Sequence, residues 1–128
     1  MIKRLIPLLQ IGTAAAAVAL PAGALAHRAA TQTQRAAVLA AVVDQHQLSQ
    51  AQAACQWVTI STVDTTWAMV FWPAHLSKAC EKVAANGVIV EHYRPHAWHF
   101  VTVGSDFACT VGGMPAKVGR DLLPTCAA

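Results

Sequence analysis

Trp57-Val58-Thr59-Ile60-Ser61-Thr62-Val63-Asp64-Thr65-Thr66-Trp67-Ala68-Met69-Val70-Phe71-Trp72 is the stretch that decides the fold. It is dense in β-branched and aromatic residues, which suit strands. Residues 63–66 interrupt the pattern as a turn, with Asp64 placed to bond the backbone two residues on. With Asp64-Thr65 as the tip, Ile60 faces Met69, Val58 faces Phe71 and Thr62 faces Trp67 on a core side. The opposite face then pairs Ser61 with Ala68, Thr59 with Val70, and Trp57 with Trp72.

Working outward, Pro73 ends the strand, and residues 76–85 form a partly helical connector to the Asn86-Gly87 turn. A second hairpin follows, 87–93 and 98–103, around Arg94-Pro95-His96-Ala97. Its register sets Val88 against Val103, Val90 against Val101 and His92 against His99. Upstream, residues 27–34 are polar and expected to fray. Thr33 then caps a helix over 34–46 whose apolar stripe is Val38, Ala41 and Val42. Residues 48–54 add a turn or short helix. Downstream, Pro115 opens a short helix over about 116–123, a first-turn placement that suits proline. The expected class is α+β: an N-terminal helix, a four-stranded antiparallel sheet of two hairpins and a short C-terminal helix, with the helices on one sheet face. By element order this is a cystatin-like arrangement, and fold alone does not carry function.

The first 26 residues read as a signal peptide. Met1-Ile2-Lys3-Arg4 is a basic start, residues 5–25 are apolar and Ala-rich with Pro7 and Pro21, and Ala24-Leu25-Ala26 has the small-x-small cleavage pattern. Residues 27–128 then form a single secreted domain. No later apolar run approaches bilayer-spanning length, so no membrane association is expected after cleavage. Nine Lys and Arg stand against six Asp and Glu, a formal charge of +3. Two of the nine, Lys3 and Arg4, belong to the leader, which leaves +1 and no basic stripe. Electrostatic nucleic-acid binding is therefore excluded. All four cysteines, Cys55, Cys80, Cys109 and Cys126, follow the cleavage site. An even count in an exported chain reads as two disulfides. Three pairings exist; Cys55–Cys80 and Cys109–Cys126 are preferred because each closes a loop of roughly 15–25 residues. No C-x₂₋₄-C pair supports a zinc site of cysteines.

Histidine is the only candidate chemistry. His92 and His99, opposite each other with Cβ atoms about 5 Å apart, could share Zn²⁺ or Cu²⁺, with His96 or His75 as a third ligand. The plain alternative is a solvated face of an edge hairpin. His27 would head the mature chain, but a mobile polar stretch follows it, and the reading there is a chance cleavage-site neighbour. Trp57 and Trp72, with Trp98 and Tyr93 nearby, would form an aromatic binding surface unless helices cover that face. Hydrolase signatures are absent: Val103-Gly104-Ser105-Asp106-Phe107 lacks the second glycine of G-x-S-x-G. The acids are scattered, with Asp64 read as a turn residue and Asp121 as a helix-surface residue. A protease-inhibitor-like module is a third class. Here Phe100-Val101-Thr102-Val103-Gly104 lacks the glutamine of Q-x-V-x-G, and loop 110–114 is the remaining candidate. The reading is a non-enzymatic extracellular domain that binds a partner protein or ligand through a sheet face or loop 109–115. Metal binding is the alternative.

Ser61-Thr62-Val63-Asp64, Trp67-Ala68, Cys80, Gly87, Trp98, Gly104-Ser105-Asp106-Phe107-Ala108-Cys109, Pro115, Asp121-Leu122 and Cys126 together resemble a group of short secreted actinobacterial-type proteins of unknown function. The resemblance covers residues 55–126. It implies export, a small α+β unit and the cysteine pairing, and it transfers no catalytic residue.

Overall fold

Five antiparallel strands form the sheet, each hydrogen-bonded to its neighbour in chain order. The computed structural model describes residues 27–127; the leader reading, residues 1–26, lies outside them. The elements are β1 (His27–Ala29), α1 (Gln32–Asp44), α2 (Gln50–Ala53), β2 (Trp57–Ser61), β3 (Trp67–Phe71), α3 (Lys78–Glu81), β4 (Val88–Tyr93), β5 (Trp98–Gly104), a 3₁₀ turn (Val111–Gly113) and α4 (Ala116–Leu122). The α+β class and both hairpins stand. The expected four strands are five, because the stretch assigned to fraying pairs instead: Arg28 lies opposite Ile60 and Ala29 opposite Thr59.

Helix α1 starts two residues before the expected boundary. Thr31, not Thr33, is its cap. Thr31 Oγ1 accepts from the Gln34 amide at 3.2 Å while Gln34 Oε1 accepts from the Thr31 amide at 3.0 Å. This reciprocal box satisfies two donors that a helix start otherwise leaves open. Ser49 and Gln52 repeat it at α2. The buried stripe of α1 is Val38, Leu39 and Val42.

The first hairpin is one residue out of the expected register. Trp57 lies opposite Phe71, Val58 opposite Val70, Thr59 opposite Met69 and Ile60 opposite Ala68. Since side chains alternate, the slip exchanges partners on every pair. Val58, Ile60, Ala68, Val70 and Ile89 face α1, while Trp67 and Val90 face α4 through Met114, Val118 and Leu122. Helices therefore cover both sheet faces, not one. The apolar run of β3, Trp67-Ala68-Met69-Val70-Phe71, is what a strand buried on both sides requires.

In the second hairpin His92 lies opposite His99 as expected. Beyond the shift at Val90/Glu91, Val90 faces Thr102 and Val88 faces Gly104, so the expected Val90–Val101 and Val88–Val103 pairs do not form. The extra residue of this bulge is Val101. It presses on the 3₁₀ turn at Gly112, where a Cβ would collide with its side chain and φ is +65°. The disulfides are Cys55–Cys80 and Cys109–Cys126, with Cα separations of 5.7 and 5.0 Å.

Candidate functional site

Seven residues of α4 reach about 10 Å along the helix axis, and the five of β3 about 17 Å. The helix is tied to the turn end of β2 and β3. The carboxylate of Asp121 accepts from Ser61 Oγ at 2.5 Å and the Thr62 amide at 2.8 Å. Asp121 is thus not a helix-surface residue but a buried one. Ser61 Oγ in turn accepts from the amides of Val63 and Asp64. Asp64 does hold its own turn, accepting from the Thr66 amide at 3.0 Å and hydroxyl at 2.6 Å, and these bonds lower its carboxyl below the usual range. Ser61, Thr62, Asp64 and Asp121, distant in sequence, form one structural node.

The other end of this sheet face lacks helix cover, and a groove of about 470 Å³ opens there. Met69, Phe71 and Val88 form its floor, with Phe107, Leu123 and Cys126 as walls. The rim is polar but neutral: Asn86, Ser105 and Thr125. None of the lining residues is ionisable. Volume and lining fall in the range of small-ligand pockets. Trp57 extends the surface. It is 59% exposed and meets Phe71 edge-on with centroids 6.2 Å apart.

The expected pairing of Trp57 with Trp72 is not observed. Trp72 lies one residue past β3 and lines both the groove and a smaller cavity of about 100 Å³ that includes Ile89 and Val103. Trp98 and Tyr93 lie against each other at 5.5 Å, on the α1 side at the opposite end of the sheet. Loop 110–114 does not project as a whole, since Met114 is buried.

His92 and His99 are brought together by the ladder. His92 is not on an edge strand: β4 lies between β3 and β5, and its ring stacks on Trp67 at 3.8 Å and 9°. Burial holds the His92 imidazole below its ordinary pKa, with Arg94 and His99 adding to the effect and Asp64 opposing it. Among the described residues no three His, Cys, Asp or Glu side chains are grouped to hold a metal, so His75 and His96 do not complete a three-ligand set.

Sequence reasoning missed two features. The groove depends on where a short helix stops, which no local pattern records. Glu91 is fully buried, with no hydrogen-bond partner on either carboxyl oxygen; a glutamate after Val88-Ile89-Val90 was its only signal. No helix among the described residues is long and apolar enough to cross a membrane. No protein family, curated protein or solved structure matches the chain.

Proposed function

We propose that the chain is a secreted, non-enzymatic binding domain that takes a neutral, apolar ligand, or the apolar side chains of an extracellular protein partner, in the groove beside Trp57. The observation that carries this reading is the 470 Å³ groove with no ionisable lining residue, continued by an exposed tryptophan. Burying apolar surface there would drive association, and the absence of charge selects against ionic ligands. Two disulfides and the Ala24-Leu25-Ala26 site support export. The cystatin-like comparison rests on element order, a helix followed by an antiparallel meander. The inhibitor reading gains no support from the partly folded-in loop 110–114.

The test is a fluorescence titration of the oxidised protein with neutral N-phenyl-1-naphthylamine. Saturable one-to-one binding is expected, with at least tenfold weaker binding to Ser105→Trp, whose indole would fill the rim. Absence of binding, or equal binding to both proteins, would count against the groove. A second reading is metal capture by His92 and His99, favoured by their direct pairing. It predicts Zn²⁺ or Cu²⁺ uptake that disappears in the His92→Ala, His99→Ala double variant.

A further inference from the structure

Glu91 lies in β4 between Ala68 of β3 and Phe100 of β5, where the β4–β5 register shifts. This places it on the face covered by α1. It is 0% exposed, and both carboxyl oxygens are buried without a hydrogen-bond partner. No charge faces it from the packed elements. β3 presents Ala68, and α1 presents Val38, Leu39 and Val42 to this core, with Phe100 packed beside them. The two charged residues of α1 are placed elsewhere: Arg35 donates to the carbonyls of Gln56 and Ala54, and Asp44 is exposed. Tyr93 follows on the same face but is 40% exposed, and Arg28 of β1 is exposed.

A carboxylate in that position would have neither water nor a counter-charge, so the folded core selects the neutral acid. Hydrating it by opening the sheet would break the ladders on both sides of β4. Lifting α1 breaks far fewer backbone bonds.

We propose that Glu91 is a proton-dependent latch: the neutral carboxyl lets α1 close on the sheet, and loss of its proton in mildly alkaline medium releases that packing. Burial pushes the Glu91 carboxyl up to about 8 from 4.5, which sets the working range. The folded state keeps its proton up to about pH 8, whereas the unfolded chain loses it near 4.5. Stability is therefore complete below the lower value and is lost as pH rises through the upper one. The latch acts on the face opposite the groove and is independent of the ligand proposed there.

Urea unfolding of the oxidised protein from pH 5 to 9, with amide hydrogen exchange in parallel, tests it. Above about pH 6.5, where His92 no longer contributes a slope, the folding equilibrium constant is expected to fall by up to tenfold per pH unit up to about 8 and to stay level in Glu91→Gln. The α1 amides are expected to exchange through openings that leave β2, β3 and β4 protected. Should Glu91→Gln fail to fold, Glu91→Met takes its place with the same level profile expected. Above about pH 6.5, a level profile in the native protein or a slope that survives either substitution would overturn the latch, as would α1 exchange only in step with the strands.

Discussion

Asp121 shows how one side chain can organise residues sixty positions away. Its carboxylate collects the Ser61 hydroxyl and the Thr62 amide, and charge-assisted bonds of this kind are stronger than neutral ones. Asp121→Ala removes their shared acceptor beneath α4. A loss of about 3 kcal/mol is expected in urea unfolding, with Asp121→Asn losing less. Gly119, one turn into the same helix, is fixed by a different constraint. A Cβ there would overlap the Cys109 carbonyl, so Gly119→Ala is expected to cost about 1–3 kcal/mol by overpacking. His92 titrates with the opposite sense to Glu91. Burial lowers its pKa in the folded state, so the unfolded chain takes up the proton first. Its contribution is present above about 6.5 and is lost as pH falls toward the folded value. An NMR titration should place the His92 ring below the ordinary imidazole value, and His92→Gln should flatten the acid limb of stability.

Elements were legible where the signal is local. The Asp64 turn, Pro115 at the start of α4 and the His92–His99 pair follow from residues within a few positions of each other. The first hairpin register was not legible, because its connection is held by Asp121 from α4, and a tip at Asp64-Thr65 suits the local sequence as well. The bulge at Val101 was hidden for the same reason: Gly112, which accommodates it, is reached only through the tertiary fold. The α1 start was legible in principle, since Thr31 and Gln34 have capping-box spacing. The groove was not, because it is bounded by where α4 stops. Tertiary reach also protects the sheet edge. Gln45, just past α1, donates to the Trp98 carbonyl at 2.9 Å and accepts from the Phe100 amide at 2.8 Å. These backbone groups of β5 would otherwise face an incoming strand. Gln45→Ala is expected to promote concentration-dependent self-association in sedimentation velocity, while a strictly monomeric variant would show the edge to be protected by other means.

At the scale of the molecule, the two disulfides give similar stability but bear differently on the groove. Cys55–Cys80 spans 25 positions between the end of α2 and α3, and Cys109–Cys126 spans 17 around α4. Loop-closure entropy assigns about 3 kcal/mol to each, so stability alone does not distinguish them. Position does. Cys126 lines the groove, and the tail around it is held by the Cys109 amide on the Ala127 carbonyl and the Ala127 amide on the Phe107 carbonyl. Opening this bridge frees the wall formed by Phe107, Leu123 and Cys126, whereas Cys55–Cys80 reaches the groove only through the connector from Cys80 to the rim residue Asn86. Paired Cys→Ala variants should therefore lose comparable stability. Cys109→Ala with Cys126→Ala should weaken neutral-probe binding by tenfold or more, and Cys55→Ala with Cys80→Ala by less, under conditions where both variants stay folded. Equal binding by the two would separate the groove from α4 anchoring, and equal loss would mean that the probe reports general loosening of the domain.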